Sequence, residues 1–239
     1  MAKDQFGFNI EQENNDPTFL SRNLHALAAQ LGISAGSIAL GYPFFADARR
    51  PEYSYIVKEL ERTASNMGVS ISSLDTTKNP FQSLIDPMKG SYYDPRNKHI
   101  QMAQRGKNIN PGTLAHELGH AKQNPNSFLS KTASTSRFLN MTGLTTLPLV
   151  LTEDEDAAKF LAATGTYMAA PNFVHEMDAS IKGRKVLLDA AKKSGNKLGF
   201  IRSLGPFKGL PTYGLALAAP YIMYKYLKSQ GQYKKSKEN

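Results

Sequence analysis

The feature that most constrains this chain is the stretch TLAHELGHAKQ, residues 113–123. Two histidines, His116 and His120, stand four residues apart in it. Asn110 is a favourable N-cap and Pro111 a favourable first helical residue, so a helix is predicted to begin here and run to Gln123. Because residues four apart lie on the same face of a helix, both imidazoles can bind one metal ion.

Glu117 follows the first histidine and projects from the neighbouring position of the predicted helix. Its carboxylate could reach a metal-bound water without binding the metal. Zinc lowers the pKa of such a water to about 7, and a nearby carboxylate can take its proton as the water attacks a peptide carbonyl. The motif is interspersed with small or apolar residues, namely Leu114, Ala115, Leu118, Gly119 and Ala121. We therefore expect a buried helix and a catalytic zinc site.

A catalytic zinc ion normally has three protein ligands and an open position for water. The chain has no cysteine, so the third ligand must be a histidine or a carboxylate. The downstream candidates are Glu153 to Asp156, His175, Glu176 and Asp178. The first group is better explained as a helix start, in which Thr152 and Glu155 form a capping box.

We select Glu176 as the third ligand, on a helix predicted to begin near Asn172. Ala179 and Ser180 share its face and are small enough to pack against the histidine helix. His175 is the main competitor. Asp178 is better suited to a position outside the ligand set, as a partner of a ligand or as a surface charge.

The shorter motifs upstream complete the predicted fold. A helix should begin at Pro51 and end at Gly68, followed by a strand over 69–74. A turn at 94–97 should lead into a strand over 98–102. These elements predict a mainly α fold with a small β-sheet (α+β), in which two or three strands lie against the histidine helix.

Four runs of sequence contain no Asp, Glu, Lys or Arg. Residues 23–46 are long enough to cross a bilayer, whereas 138–152, 160–175 and 209–224 fall short of the roughly 20 apolar residues that a spanning helix needs. Buried core helices and membrane-associated helices both fit these shorter runs. The last run leads into a basic tail, which fits either an anionic leaflet or a solvated terminus.

The net charge of the chain is +9, from 29 basic and 20 acidic residues. Such a charge suits an anionic partner, either lipid headgroups or nucleic acid, and does not by itself distinguish them. An anionic membrane surface is the partner that we expect. Nucleic acid is not expected, because the lysines are scattered and are not interleaved with aromatic residues. The first twenty residues lack the apolar segment of a cleavable signal peptide.

Taken together, LAHELGHAKQ, the preceding YYDPRNKHIQM and the following HEMDAS resemble the gluzincin zinc metallopeptidases. The likeness is greatest to the bacterial membrane-associated neutral zinc metallopeptidases, and it covers roughly residues 51–191. It implies a zincin-like core with additional apolar helices, with Zn²⁺ bound by His116, His120 and Glu176 and with Glu117 as general base. It also implies that the strand over 99–102 is an edge strand that binds an extended peptide.

One feature departs from the related prenyl-protease pattern, and one residue role is left open. Those enzymes often have an Asp four residues after the ligand Glu, where this chain has Ser180, so another group is expected to bond the ligand histidines. The residue that stabilises the transition state is also left open, and the candidates are Tyr92, Tyr93, His99 and Arg184.

The predicted organisation has four parts: a polar arm (1–22), an apolar and membrane-associated helix (23–48), a zincin-like domain (49–195) and an apolar helix with a basic tail (196–239). The predicted function is that of a zinc-dependent endopeptidase acting on peptide or protein at or near a membrane, alone or within a larger assembly. The alternative is a non-enzymatic structural or membrane-penetrating protein, such as a virion component, that keeps the zincin fold. Membrane association is expected, with virion or cytoplasm as the alternative locations.

Overall fold

The computed structural model describes residues 52–75, 91–104 and 109–234. Its helices are α1 (Glu52–Asn66), α2 (Pro111–Ala121), α3 (Phe128–Met141), α4 (Leu147–Leu151), α5 (Glu155–Lys193), α6 (Phe200–Ser203) and α7 (Leu210–Ser229), with a 3-10 turn at Gly205–Phe207. Its strands are β1 (Ser70–Asp75), β2 (Tyr92–Asp94) and β3 (His99–Gln104). The expected α+β class is confirmed. The predicted N-terminal arm and the apolar segment 23–48 lie outside the described residues.

The three strands form one mixed sheet in the order β1-β3-β2. β1 pairs with β3 in parallel, with Ser70 opposite His99, and β2 pairs with β3 antiparallel, with Tyr93 opposite Ile100. The predicted turn joins β2 to β3, and the carboxylate of Asp94 accepts the backbone N–H of Arg96. The expectation that β3 is an edge strand is wrong, because it is hydrogen-bonded to a strand on each side.

The first helix and strand agree with the sequence prediction. α1 ends at Asn66, and Gly68 follows it with φ +67°, a conformation that glycine adopts without strain. β1 then begins at Ser70, one residue later than predicted. Both features could be predicted because they depend on local sequence. A glycine that ends a helix and a short run containing β-branched residues determine the backbone conformation within a few residues.

Helix α5 differs from the prediction because it begins at Glu155 and continues for 39 residues through Pro171. The carboxylate of Asp154 accepts the backbone N–H of Ala157, so Asp154 is the N-cap. The capping box predicted from Thr152 is therefore wrong, although the acidic first turn is present. A helix start near Asn172 is also wrong, because one proline removes one backbone hydrogen bond and the turns around it persist.

The chain forms two compact units. One contains residues 135–170 and 214–234 among those described, and its core is formed by Leu149, Ala158, Ala162, Met223, Tyr224 and Leu227. The other contains residues 52–134 and 171–213 among those described, and its core includes Ile56, Leu60, Ile100, Met102, Leu114, Leu118 and Leu187. The predicted domain boundaries stay a prediction.

None of the helices in the described ranges combines the length and the apolarity needed to cross a lipid bilayer. This result covers the three shorter uncharged runs, which form parts of α3, α4, α5 and α7. The longer run at 23–46 lies outside the described ranges.

Candidate metal centre

Helix α2 begins as the sequence predicts. The side-chain oxygen of Asn110 accepts the backbone N–H groups of Gly112 and Thr113, at 2.9 and 3.1 Å, and Pro111 occupies the first helical position. The helix ends at Ala121, two residues before the predicted end. The helix belongs to the unit that contains residues 52–134 and 171–213 among those described, and most of its residues, Glu117 among them, are buried.

Helices α2 and α5 touch at the backbone. A methyl group on Gly119 of α2 would overlap the carbonyl oxygen of Ala179, and one on Gly183 of α5 would lie 2.5 Å from the carbonyl oxygen of Ala115. Each helix therefore presents a pair of small residues four apart, Ala115 with Gly119 and Ala179 with Gly183. Such pairs lie on one face, so the crossing brings the neighbouring side chains of both helices to one place.

The crossing brings His116, His120 and Glu176 together. Oε2 of Glu176 lies 3.2 Å from Nε2 of His116 and 3.2 Å from Nε2 of His120. One ligand atom from each residue lies within 4.8 Å of the others, and Glu176 is only 1% exposed. In the described part of the chain this is the one group of three or more such residues that could hold a metal ion. The structure thus assembles the three residues selected from the sequence.

Two of the three separations between ligand atoms match those around a small tetrahedral ion. Ligand atoms about 2.0–2.1 Å from a zinc ion at tetrahedral corners are about 3.3 Å from one another. The two distances of 3.2 Å between the histidines and Glu176 match this value. Two imidazole nitrogens and one carboxylate oxygen are also a common catalytic zinc donor set.

A hydrogen bond with Ser180 fixes the orientation of the His116 ring. Its hydroxyl donates to the carbonyl oxygen of Pro206 at 3.0 Å, and its oxygen lies 3.1 Å from Nδ1 of His116. Since the hydroxyl hydrogen is committed to Pro206, Ser180 accepts a hydrogen bond from Nδ1–H. Nε2 of His116 is then left with its lone pair, which faces Glu176 and can bind a metal ion.

A hydrogen bond with Gln123 fixes the orientation of the His120 ring. Its amide nitrogen donates to the carbonyl oxygen of His175 at 2.8 Å and to Asp178 at 3.0 Å, two groups that only accept. This assigns the other amide atom as oxygen, and it lies 2.8 Å from Nδ1 of His120. His120 therefore donates from Nδ1–H and also turns Nε2 towards Glu176.

Sequence reasoning missed both partners. It expected a group other than Ser180 to bond the ligand histidines, which is wrong for His116. The available signals were the spacings: Ser180 is four residues after Glu176, and Gln123 is three after His120, so each shares a face with a ligand. Asp178 lies outside the ligand set, as predicted, and reaches His120 through Gln123.

The pocket between the three side chains favours positive charge. Burial acts to lower the pKa of His120, but the hydrogen bond and charge of Glu176 outweigh it, aided by the charge of Glu117. The pKa of His120 is therefore raised. A buried carboxylate facing two imidazoles needs a cation, which can be a proton or a metal ion.

Glu117 and His175 occupy different positions around this centre. Glu117 is 5% exposed and lies next to His116 on α2, where its charge acts on His120. The ring of His175 stacks on that of His120, with centroids 5.2 Å apart and planes at 29°, and its Nε2 lies 3.4 Å from the Ser130 hydroxyl. His175, the main competitor of Glu176, thus packs beside the ligand set.

Of the four candidates for transition-state stabilisation, two make contacts elsewhere. His99 lies between the hydroxyls of Ser70 and Ser72, each 2.8 Å from a ring nitrogen. Arg184 donates from Nε to the Ser203 hydroxyl at 3.3 Å. The other candidates, Tyr92 and Tyr93, lie on β2, and the assignment among the four stays a prediction.

No protein-family model, no curated protein and no solved structure matches this chain. What the sequence motifs and the structure have in common is the cluster of His116, His120 and Glu176, which could bind a metal ion.

Proposed function

We propose that this protein is a zinc-dependent endopeptidase of the gluzincin type. The observation that carries the proposal is the contact of one Glu176 oxygen with Nε2 of both His116 and His120, at 3.2 Å each. Glu117 adds the second support, because a purely structural metal site gains nothing from a buried carboxylate beside its ligands.

Zinc is the ion that the donor set favours. Neutral imidazole suits zinc and other transition metals, whereas magnesium and calcium prefer sites made of oxygen. Ser180 and Gln123 keep both imidazoles in the tautomer that can bind the ion, and such partners of metal ligands typically raise metal affinity. Zinc binding would also neutralise the buried charge of Glu176.

When bound here, zinc would polarise the scissile carbonyl and lower the pKa of water. His116, His120 and Glu176 would hold it and leave a fourth position open. Glu117 would accept the proton of the attacking water and then deliver it to the nitrogen of the leaving amine, so that the peptide bond breaks into an acid and an amine. Its burial keeps this carboxylate out of bulk solvent, which strengthens its electrostatic effect on the reacting atoms.

The test combines metal analysis with a cleavage assay on an unfolded protein substrate. Wild-type protein should bind about one zinc ion per chain and cleave the substrate, and a chelator should stop cleavage. Glu117→Gln should keep the zinc ion and lose at least about a hundredfold in activity, as expected when a general base is removed. Glu61→Gln, an exposed glutamate on α1, is the matched control and should keep both properties.

The outcomes separate the proposal from its alternative. Zinc binding without any cleavage that Glu117→Gln abolishes would favour a non-enzymatic protein with a structural metal site. Absence of zinc binding in the wild-type protein would contradict both the enzymatic and the structural metal site.

A further inference from the structure

Positive charge is concentrated in the last quarter of the chain. Residues 179–239 contain 13 Lys and Arg against 2 Asp and Glu, whereas residues 1–178 contain 16 against 18. No acidic residue lies between Asp189 and Glu238. The excess charge of the protein therefore belongs to the end of α5 and the residues after it.

The two most exposed large apolar side chains of this basic region are neighbours in sequence. Phe200 and Ile201 open the short helix α6 and are 72% and 79% exposed. Lys192, Lys193 and Lys197 precede them and are also exposed. We refer to these five residues as the basic tip.

The segment that carries the basic tip packs against helices α5 and α2. Arg184 of α5 lies with its guanidinium 6.0 Å from the Phe200 ring centre and donates to the hydroxyl of Ser203. A methyl group on Gly205 would lie 3.0 Å from the Cα of Gly112 in α2, so the backbones pack closely. These contacts hold the backbone around Phe200 and Ile201 in place, and both side chains remain exposed to solvent.

We propose that the basic tip is a docking site for an anionic lipid surface. Adjacent aromatic and aliphatic side chains can enter the acyl boundary, while lysines on the preceding residues pair with anionic headgroups. A nucleic acid would use the lysines and a stacking aromatic, but it would gain little from an exposed isoleucine. Charge complementarity and apolar exposure within one segment of ten residues, 192–201, therefore favour lipid.

The docking site also has a consequence for the metal centre. The carbonyl oxygen of Pro206, five residues after Ile201, accepts a hydrogen bond from the hydroxyl of Ser180, which in turn accepts one from His116. The same segment therefore carries both the lipid-binding residues and a support of the candidate metal site. Docking would hold the metal centre at the membrane surface, but the docking itself does not depend on peptidase activity.

The absence of tryptophan from the chain allows a direct test. Phe200→Trp would be the only tryptophan, and its emission should shift to the blue when vesicles of phosphatidylserine and phosphatidylcholine are added to the full-length protein. Brominated lipids should quench it. Tyr55→Trp, at an exposed position of α1, is the matched control and should show neither change.

Flotation with the same vesicles tests the two components of docking. The double variant Phe200→Ser/Ile201→Ser should lose at least about tenfold in vesicle binding, since most of the apolar contact is removed. Replacing Lys192, Lys193 and Lys197 with Gln should weaken binding about fivefold per lysine and reduce its salt dependence. Both variants should keep the zinc content and the circular dichroism of the wild type, because the five side chains are exposed.

Three results would overturn the proposal. The first is vesicle binding by Phe200→Ser/Ile201→Ser that equals that of the wild type. The second is equal wild-type binding to vesicles of phosphatidylcholine alone. The third is tight binding of an oligonucleotide that depends on the three lysines, combined with no binding of anionic vesicles.

Discussion

Gly119 of α2 lies directly against the carbonyl oxygen of Ala179 of α5, with no room for a side chain between them. The contact recurs one turn away, where Gly183 lies against the carbonyl oxygen of Ala115. His120 and Ser180 are the residues that follow Gly119 and Ala179 in sequence. The separation of the two backbones therefore determines whether Glu176 can reach both histidines.

Gly119→Ala should force the helices apart. We expect a loss of about 1–3 kcal/mol in the free energy of unfolding, as for overpacking in other cores, and weaker zinc binding. Chemical denaturation and zinc titration would measure the two effects. Gly199→Ala is the control, because nothing lies within 4 Å of a methyl group at that position. Unchanged zinc affinity in Gly119→Ala would contradict the importance of the crossing.

Gln123→Leu should weaken zinc binding by about ten- to a hundredfold, because it removes the acceptor of His120 Nδ1–H. Ser180→Ala should act in the same direction through His116. Competition with a zinc-binding dye measures both affinities. Ser130→Ala is the comparison, since the Ser130 hydroxyl bonds to Asn124 and Ser127 and reaches only His175 near the candidate site, at 3.4 Å. If Gln123→Leu and Ser180→Ala both bind zinc like the wild type, these two residues do not fix the tautomers of the histidines.

Zinc should stabilise the wild-type protein against heat. At a free zinc concentration a hundredfold above the dissociation constant, the gain is about 2.7 kcal/mol, which corresponds to an increase of roughly 5–10 °C in the melting temperature. Glu176→Gln should abolish the increase because it replaces a proposed zinc ligand. Asp178→Asn, two residues away and outside the ligand set, should retain most of it. A retained increase in Glu176→Gln would assign the third ligand elsewhere.

Acid should destabilise the start of α5 through Glu155. The hydrogen bond from Lys228 and then that from Lys159 lower the pKa of Glu155 from 4.5 to about 2. A lowered native pKa means that this carboxylate stabilises the fold above pH 4.5 and that the contribution is lost as the pH falls towards 2. Glu155→Gln should therefore reduce the loss of stability over this interval, measured by thermal unfolding at each pH.

The neighbouring acid provides the comparison for that measurement. Asp156 is exposed and pairs with Lys159 alone among the contacts described, whereas Glu155 pairs with both lysines. Asp156→Asn should therefore leave most of the acid dependence in place. If both substitutions reduced the acid dependence of stability equally, the hydrogen bond from Lys228 would not be what distinguishes Glu155 from Asp156.

The expected helix of the metal motif, its Asn110 cap, the first helix and the turn before β3 could all be predicted from the sequence. Each depends on hydrogen bonds and steric preferences that act over a few residues, so local sequence suffices. Several predictions that needed distant information were wrong. The length of α5, the Asp154 cap and the central position of β3 depend on packing and on strand pairing far along the chain.

In the candidate site, too, some features follow from local sequence and others from tertiary packing. The sequence by itself determined that His116 and His120 share a helix face with Glu117 between them, because helical spacing is a property of the backbone. It also selected Glu176 as the third ligand, with His175 as the main competitor and Asp178 outside the ligand set. Only the tertiary structure brought Glu176 to both histidines and placed Ser180 and Gln123 against their Nδ1 atoms, because the close crossing at Gly119 and Gly183 sets which side chains of α5 reach α2.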